Sequence, residues 1–361
     1  MRDGAAAIIF GTRPEVVKLA PLLWELSHAA YVIHTGQQPL DSLAEIMHDV
    51  AFAPPAVGGT LVAGPSGHQI GHAIAAVTDA LILAAPDLVI VQGDTNSTLA
   101  GALAATTLGL PVVHVEAGLR AFDRRLPEER NRVVVDHVAD LLCAPTGDAA
   151  DHLRAEGIDP RRIVVTGNTV VDATRRCLPG TEARAALRAR LHLDRNGYIL
   201  ATFHRPENVD DPQQLEIVLD ELARMPVPVL LPIHPRTADR AAHGGVRMER
   251  GAITVIPPLG YRDFLALAAD SAVIVSDSGG VQEEASVLAR PIVVVRRSTE
   301  RPEIQGSVAT LVAVGPEIGT TTRSLLADLA TVHARLAVTP SPFGDGHAAG
   351  RIVEAIAALR S

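Results

Sequence analysis

The feature of this sequence that most constrains its fold is a series of short Val- and Ile-rich runs, separated by Ala- and Leu-rich segments of helical length. The runs are mostly apolar and do not alternate between apolar and polar residues. Strands of this kind are buried on both faces, as in parallel sheets covered by helices. The pattern predicts an α/β fold with strands at AAAIIF (5–10), DLVIVQ (87–92), PVVHVE (111–116), RIVVTG (162–167), YILATF (198–203), PVLLPIH (228–234), AVIVSD (272–277) and PIVVVR (291–296).

The length of the chain sets the number of domains. With 361 residues, 47% of them hydrophobic, two globular domains of about 150 residues each are expected. The polar stretch from about 168 to 197 contains Pro179-Gly180 and no strand-like run. It is therefore the best position for the crossing between two parallel sheets.

Charge and cysteine content limit the partners. The net charge of −9 argues against nucleic acid or an anionic membrane, because either would repel the chain, and favours a small ligand. Cys143 and Cys177 are too few for a disulfide framework or a thiolate metal site. The apolar run near the start is broken at Gly11, so we expect no secretory signal and a cytoplasmic protein.

Residues that follow the runs are the candidates for function, because ligands of open parallel sheets lie beyond the carboxyl ends of the strands. The first run is followed by Gly11, Arg13 and Pro14 and, one helical turn on, by Lys18. A glycine turn that leads into a helix N-terminus can bind an anion through free N–H groups. A plain tight turn explains these residues about as well.

Two carboxylates, Asp94 and Glu116, follow the next two runs. Neighbouring carboxylates drive their pKa values apart, which suits a catalytic acid and base. Asp94 taken alone is better explained as the N-cap of a helix that starts near Thr95. The arginine-rich segment AGLRAFDRRLPEERNR (117–132) is either a solvated charged loop or a surface that grips a pyrophosphate.

Histidines mark the strand ends of the second half. His204 and Arg205 follow YILATF, and His234 follows PVLLPI. An imidazole at a strand end can act as a general acid or donate to a phosphate, although a capping or core histidine is an equally good interpretation. His68 and His72 have the helical spacing of two metal ligands, but no adjacent carboxylate completes a set, so no metal site is expected.

The run AVIVSD leads into Ser278, Gly279 and Gly280 at the start of a helix. Without Cβ atoms, backbone amides can close on a phosphate, and the Ser278 hydroxyl adds a donor. Glu284 lies one helical turn beyond Gly280, where a carboxylate can accept both hydroxyls of a ribose. A nucleoside diphosphate would explain both features.

Taken together, the motifs GTRPEVVKLAPL, QGDTNSTLAGALAA, HVEAGLR, LPEERNR, VTGNTVVDA, FHRPEN, SDSGGVQEEA and TERPE resemble the UDP-N-acetylglucosamine 2-epimerase family over nearly the whole chain. The resemblance implies two Rossmann-like domains facing a central cleft, the GT-B-like arrangement of one class of nucleotide-sugar glycosyltransferases. The N-terminal domain is expected at 1–168 plus a returning C-terminal helix at 345–361, and the UDP-binding domain at 169–344.

The resemblance also implies an activity. Non-hydrolysing members of the family interconvert UDP-N-acetylglucosamine and UDP-N-acetylmannosamine without an added cofactor. A base removes the C2 proton while UDP leaves from C1, which gives a 2-acetamidoglucal, and UDP re-adds after C2 is protonated on the other face. We expect a UDP-sugar and UDP as ligands, a homodimer, and no metal, nucleic-acid or membrane partner.

Residue roles carry over from the matching family motifs. The implied catalytic groups are the carboxylates Asp94, Glu116 and Glu128, with His204 near the departing diphosphate. The implied UDP and substrate contacts are Arg13, Lys18, Arg132, Ser278, Gly279, Gly280 and Arg301, with Glu284 on the ribose and with Leu259 and Phe264 in PPLGYRDF, which resembles the uracil-binding turn.

The chain departs from the family pattern at a second, activating site. Many bacterial members have a Gln-His pair after the second strand and an Arg farther along. The corresponding positions here hold Gln37, Gln38 and His72, while Arg205 and His234 of that region are retained, so we expect weakened allosteric activation.

Three alternatives stay open. A hydrolysing 2-epimerase uses similar carboxylates, whereas a glycosyltransferase on the same frame would not need Asp94, Glu116 and Glu128 together. A non-catalytic nucleotide-sugar sensor would not need to retain every acid/base position.

Overall fold

The protein is described by a computed structural model that covers residues 5–26, 30–59 and 64–360. The strands are β1 (Ala6–Phe10), β2 (Ala30–His34), β3 (Val57–Gly58), β4 (Leu88–Gln92), β5 (Val112–Val115), β6 (Leu141–Ala144), β7 (Ile163–Val165), β8 (Ile199–Thr202), β9 (Val229–Pro232), β10 (Ile253–Ile256), β11 (Val273–Ser276), β12 (Ile292–Val295) and β13 (Ala309–Val312). The helices are α1 (Arg13–Leu26), α2 (Leu40–Asp49), α3 (Ser66–Ala84), α4 (Asn96–Thr107), α5 (Pro127–Val138), α6 (Gly147–Ala155), α7 (Thr169–Cys177), α8 (Thr181–Arg190), α9 (Pro206–Val209), α10 (Pro212–Ala223), α11 (Pro235–Gly244), α12 (Tyr261–Asp270), α13 (Gly279–Val287), α14 (Pro316–Ala327), α15 (Leu329–Ala337) and α16 (Ala348–Leu359).

The chain forms two compact units. The first comprises Met1–Arg176 and Phe343–Ser361, and the second comprises Cys177–Pro342. The sequence placed these boundaries at 168 and 344, so most of α7 lies with the first unit and not with the second. No helix in the described ranges is long and apolar enough to cross a membrane.

Each unit is built on one parallel sheet. The first unit has seven strands in the order β3-β2-β1-β4-β5-β6-β7, and the second has six in the order β10-β9-β8-β11-β12-β13. Every pairing is parallel. The predicted fold class, α/β with two parallel sheets, is confirmed, and all eight predicted strands are present.

The strand orders define where ligands are expected. The order reverses between β1 and β4 in the first sheet and between β8 and β11 in the second. Such topological switch points open a crevice at the carboxyl ends of the two strands. The turns after β1 and β4, and those after β8 and β11, are therefore the principal candidates for binding.

Burial explains why the central strands were readable from sequence. All residues of β1, β4, β5, β9, β11 and β12 are buried, and their Val, Ile, Leu and Ala side chains contribute to the cores beneath the helices. Strands β2, β3, β10 and β13 are each partly exposed, and this exposure interrupts their apolar pattern. These strands and β6 were not predicted.

The C-terminal helix α16 packs against α1 in the first unit. Asp172 of α7 accepts hydrogen bonds from the backbone N–H groups of Ala348 and Ala349, at 3.3 and 3.0 Å, and so satisfies two donors at the start of α16. Burial raises the pKa of the Asp172 carboxyl, an effect that these two hydrogen bonds only partly offset.

We expect Asp172→Ala to destabilise the first unit by about 1 kcal/mol, because two helix N–H groups lose their acceptor. Asp172→Asn keeps an acceptor oxygen and removes a charge that burial disfavours, so it should cost much less. Urea denaturation followed by the fluorescence of Trp24, the single tryptophan, measures both variants. Equal losses would contradict the capping role.

Candidate active site

The Glu116 carboxylate lies at the end of β5 and is buried. Its Oε2 atom forms a buried ion pair with Lys18 and accepts from Gln92 Nε2 at 3.2 Å and Asn168 Nδ2 at 3.1 Å. Three donors on one oxygen hold the side chain in a single position as an ionised carboxylate. Lys18, predicted as a phosphate contact, pairs with Glu116 in the structure, and its role toward a phosphate stays a prediction.

Lys18 is the only lysine in the chain, beside 31 arginines. A compact ammonium with three donors fits a narrow buried site that the planar fork of a guanidinium would not fill in the same way.

The backbone at Glu116 is also unusual. Its φ is +68°, in the left-handed region that is uncommon for residues other than glycine. Two residues on, Gly118 has φ +84°, and a Cβ there would lie 2.2 Å from the Ala149 carbonyl oxygen. The chain therefore turns sharply away from the strand end, with glycine required at 118.

Asp94 follows β4, the strand that neighbours β5 and Glu116. Its carboxylate pairs with Arg132 of α5, whose Nε lies 3.0 Å from Oδ2, and its carbonyl oxygen accepts from Asn131 Nδ2 at 3.0 Å. The N-cap of α4 is Thr95, whose hydroxyl accepts from the Thr98 N–H at 3.1 Å. The interpretation of Asp94 as that N-cap is thus wrong, and its carboxylate is held by α5 instead.

The glutamates at the start of α5 differ in environment. Glu128, the predicted catalytic residue, is exposed. Glu129 is buried, pairs with Arg132, and accepts from the backbone N–H groups of Ala121 and Phe122 at 3.0 and 2.8 Å. Glu129 thus orders the loop after Glu116 and orients the guanidinium that holds Asp94.

The turn after β1 is closed by a carboxylate of the protein itself. Glu15 accepts from the Gly11 N–H at 3.0 Å and from the hydroxyls of Thr12, Thr95 and Thr98 at 2.7, 2.8 and 3.2 Å. Burial raises the pKa of the Glu15 carboxyl, and these hydrogen bonds oppose the rise. Because the Gly11 N–H donates to Glu15, the structure favours the interpretation of this segment as a tight turn over that of a site where this N–H binds an anion.

Gln37 and Gln38 serve this same region. Gln37 Oε1 accepts from the N–H and hydroxyl of Ser97, at 2.9 and 2.7 Å, and Gln38 Oε1 accepts from the N–H of Arg13 at 3.0 Å. The Arg13 side chain is exposed, and His72 is exposed on α3. The described residues contain no group of three or more His, Cys, Asp or Glu side chains that could hold a metal.

In the second unit a buried aspartate, Asp277, organises the turn after β8. Its carboxylate accepts from the N–H groups of His204 and Arg205, at 3.2 and 2.9 Å, and from Asn208 Nδ2 at 3.0 Å. Arg205 Nε donates a hydrogen bond of 3.2 Å to the backbone carbonyl of Asp277. One carboxylate thus joins the ends of β8 and β11.

His204 lies partly enclosed in this turn. Its Nδ1 is 3.3 Å from Asp277 Oδ1, and its ring centroid is 5.2 Å from that of His234. Burial lowers the pKa of His204; Asp277 opposes the shift, and Arg205 and Arg236 reinforce it. The N-cap residue of α9 is Arg205, and the His204 side chain is partly exposed. His204 is therefore neither a cap nor a core residue, the two alternatives that the sequence offered. His234 is the N-cap of α11, its Nδ1 accepting from the Arg236 N–H at 3.2 Å.

The two glycines at the start of α13 have different surroundings. Ser278 is the N-cap residue. A Cβ at Gly279 would lie 2.8 Å from Arg301 Nη1, whereas a Cβ at Gly280 would meet nothing within 4 Å. Gly279 therefore allows the helix to pack on Arg301, and Gly280 leaves open space above the first turn.

Arg301 is buried beneath that turn. Its Nε donates to Glu283 at 2.6 Å and its Nη1 to Glu300, which also lies 3.0 Å from Arg296. The remaining predicted contacts lie in the same unit, with Glu284 buried on α13 and with Leu259 and Phe264 half-buried around the start of α12.

Comparisons with known proteins place the chain. The family model for UDP-N-acetylglucosamine 2-epimerase matches residues 25–357. The UDP-N-acetylglucosamine 2-epimerase of Methanocaldococcus jannaschii is 38% identical over 96% of this chain and 97% of the relative. The chain belongs to the UDP-N-acetylglucosamine 2-epimerase family. The family resemblance seen in the motifs is confirmed.

Further family members extend the comparison. A crystal structure of the Methanocaldococcus jannaschii protein in complex with UDP-GlcNAc and UDP matches with a TM-score of 0.84 at 35% identity, covering 98% of this chain and 99% of that one. The UDP-2,3-diacetamido-2,3-dideoxy-D-glucuronate 2-epimerase of Pseudomonas aeruginosa is 34% identical over 97% of this chain and 99% of its own length.

Several residues that hold these side chains were missed in the sequence. Gln92, Asn168 and Asp277 stand within two or three residues of a strand end, inside motifs that this family match supports. The rule that selected Asp94 and Glu116 would have selected them too. Glu129 was missed because either of two adjacent glutamates fits the motif.

Removing Lys18 should leave the Glu116 carboxylate buried without its counter-charge. We expect Lys18→Met to lower the free energy of unfolding of the first unit by about 3 kcal/mol. The double variant Lys18→Met/Glu116→Gln removes both charges and should recover most of the loss. Urea denaturation followed by Trp24 fluorescence measures both; a double variant as unstable as the single one would exclude this explanation.

Proposed function

We propose that this chain is a UDP-N-acetylglucosamine 2-epimerase of the non-hydrolysing type, which interconverts UDP-N-acetylglucosamine and UDP-N-acetylmannosamine. The observation that carries the proposal is the pair of carboxylates Asp94 and Glu116. Each is held by a fixed cation, Arg132 or Lys18, at neighbouring strand ends of one sheet. Family membership adds independent support.

The proposed reaction begins with proton transfer. A carboxylate takes the C2 proton, and the C–H electron pair becomes the C1–C2 double bond. The C1–O bond breaks, and UDP leaves with the electron pair of that bond. The product is 2-acetamidoglucal. Protonation of C2 on the opposite face and return of the UDP oxygen to C1 give the epimer, so atoms and electrons balance without an added cofactor.

In this scheme the first unit supplies acid/base chemistry. Ionised carboxylates fixed by hydrogen bonds are prepared to accept a proton without reorganising, which is how preorganised groups lower a barrier. Asp94 and Glu116 are held in this way, through their ion pairs with Arg132 and Lys18. The exposed Glu128 stays a proposed participant.

The second unit supplies contacts to UDP. The α13 N-terminus at Ser278 and Gly280 offers open space and N–H groups for the diphosphate. Glu284 is proposed on the ribose, Leu259 and Phe264 on the uracil. The buried Arg301 contributes positive charge from beneath the turn.

One relative bears on the identity of the sugar. The Pseudomonas aeruginosa protein is named for a UDP-sugar with a second acetamido group and a carboxylate. A panel of UDP-2-acetamido sugars is therefore the appropriate set of substrates. We also propose that the protein is a homodimer, for which the exposed apolar residues Ile82 and Leu83 at the end of α3 offer a surface.

The experiment that tests the function is incubation with UDP-N-acetylglucosamine in deuterated water. Proton exchange at C2 should place deuterium at that carbon in both epimers, and UDP should stay attached in most of the product. Glu116→Gln should abolish labelling yet leave UDP binding intact. The matched control, Glu45→Gln on the exposed surface of α2, should label as the wild type does.

Three outcomes would redirect the proposal. Stoichiometric release of UDP and a free amino sugar would indicate the hydrolysing type. An unlabelled C2 with transfer of the sugar to an acceptor would indicate a glycosyltransferase. Binding without labelling across the substrate panel would indicate a sensor.

UDP binding should take up a proton at His204. Burial lowers the pKa of this imidazole in the ligand-free protein, so it is neutral near neutral pH. A diphosphate beside the ring would raise that pKa, so UDP affinity should rise as pH falls through the interval between the two values. Calorimetry in buffers of different ionisation enthalpy measures the uptake. His204→Asn should remove it, and unchanged uptake would contradict the assignment.

A further inference from the structure

A second histidine lies beneath the candidate site and takes no part in the chemistry proposed above. His114 is in β5, two residues before Glu116, and its side chain is fully buried. Nδ1 lies 2.7 Å from Asp136 Oδ1, and Nε2 lies 2.8 Å from the carbonyl oxygen of Gly93. Both ring nitrogens therefore face hydrogen-bond acceptors.

The acceptors determine how many protons the ring carries. A backbone carbonyl can only accept, and an ionised carboxylate can only accept. Burial alone would raise the pKa of the Asp136 carboxyl, but the charges and hydrogen bonds of His114 and Arg120 lower it. Arg120 Nη1, at 2.7 Å from Asp136 Oδ2, keeps that carboxylate ionised. A neutral ring would direct one lone pair at an oxygen, so the geometry requires a donor on each nitrogen.

The Gly93 carbonyl belongs to the peptide group that joins Gly93 to Asp94, so the contact with His114 bears on Asp94. Gly93 has φ +75°, its N–H donates to the Val115 carbonyl at 3.0 Å, and its own carbonyl accepts from His114. The peptide group that leads into Asp94 is thereby held from both sides by β5. His114 sets the direction in which the chain leaves β4.

The same helix holds Asp94 itself. Asn131 donates to the Asp94 carbonyl, Arg132 pairs with its carboxylate, and Asp136, one turn along α5, holds His114. Because all three side chains come from helix α5, their contacts to Asp94 and to His114 are held by one element. Any displacement of the Gly93 carbonyl would move Asp94 relative to Arg132.

We propose that His114 is a positioning residue, a buried imidazolium whose two N–H groups lock the Gly93–Asp94 turn to α5 and so fix the Asp94 carboxylate for proton transfer. The inference rests on the proposed function for its consequence in catalysis. The charge chain continues from Asp136 through Arg120 to Glu156, whose oxygens accept from the guanidinium at 2.7 and 2.6 Å.

A purely structural role is a poorer explanation of this arrangement. Removing charges from water is costly, and a buried ion pair adds little stability over apolar residues of similar volume. The central strand β5 offers such residues at 112, 113 and 115, which are all valine. The charged group stands at the one position that reaches the turn before Asp94.

The chain contains a matched control histidine. His333 of α15 is also bonded through both nitrogens, but its Nδ1 lies 2.9 Å from the Arg290 Nη1 donor and its Nε2 lies 2.9 Å from the Ala272 carbonyl. This ring needs one donor and one acceptor, so it is neutral, and burial lowers its pKa. His333 lies in the second unit and is not among the residues to which the proposed chemistry is assigned.

The protonation state is tested first, on the wild-type protein. Long-range ¹H–¹⁵N spectra of ¹⁵N-histidine-labelled protein at neutral pH should show two protonated nitrogens for His114 and one for His333, with peaks assigned from His114→Gln and His333→Gln. A bare ring nitrogen at His114 would overturn the proposal. This result does not depend on the enzymatic activity.

The positioning role is tested on variants. His114→Gln cannot bridge both acceptors, and we expect kcat to fall roughly tenfold to a hundredfold, the effect of a small displacement of a catalytic group. KM and the affinity for UDP should hardly change, because most of the proposed UDP contacts lie in the second unit and His114 contacts none of the proposed ones. Asp136→Asn should behave likewise, and the double variant should be no worse than the worse single one, since both act through one contact. His333→Gln should keep kcat.

Further measurements separate the possible failures. Amide hydrogen exchange over residues 93–96 should accelerate in His114→Gln and not in His333→Gln, whether or not the enzyme turns over. Unaltered exchange together with unaltered kcat would overturn the positioning role. Absence of C2 labelling in the wild type would refute the proposed function, while the exchange and nitrogen spectra would still decide the role of His114.

Discussion

The hydrogen-bond ladder between parallel strands is the constraint on which the rest of this structure depends. Because neighbouring strands run in the same direction, their carboxyl ends meet at one edge of each sheet. Residues distant in sequence, such as Gly11, Asp94 and Glu116, are thereby brought to one edge. Polar groups at these ends need hydrogen-bond or ionic partners. Glu15 and Lys18 of α1 and the polar side chains of α5 supply them.

Helix α5 converts this placement into fixed geometry. Its polar residues at 129, 131, 132 and 136 serve the loop after β5, the turn after β4 and the ring of His114. The arginine-rich segment 117–132, for which a solvated charged loop was one interpretation, is in part an ordered helix, and several of its charged side chains pair with other residues of the chain. Only some of the arginines in that segment, such as Arg124 and Arg130, are left exposed.

Much of the fold could be predicted because buried strands appear in the sequence as short apolar runs. Fully buried central strands are apolar at nearly every position, so β1, β4 and β11 were evident, whereas β3 and β13 are partly exposed and their pattern is broken. The candidate site was predictable only as positions along the chain. Which oxygen a side chain reaches depends on angles that the sequence does not display.

Particular residues show that limit. Thr95 and Asp94 are both good N-cap types, and only the backbone angles decide in favour of Thr95. Lys18 and Arg301 carry charges that suit a phosphate, yet each is bound to carboxylates of the chain. The left-handed φ of Glu116 leaves no mark in the sequence, because glycine, which would adopt it more easily, lacks the carboxylate.

The single lysine has a consequence for the chemistry that can be done on this protein. The only side-chain amine is 6% exposed and paired with Glu116, so no lysine is displayed on the described surface. Acylating and other amine-directed reagents, and enzymes that modify lysine side chains, meet no accessible lysine while the first unit stays folded. Slow modification of Lys18 would therefore measure local opening around Glu116, with the arginine-rich surface unaffected.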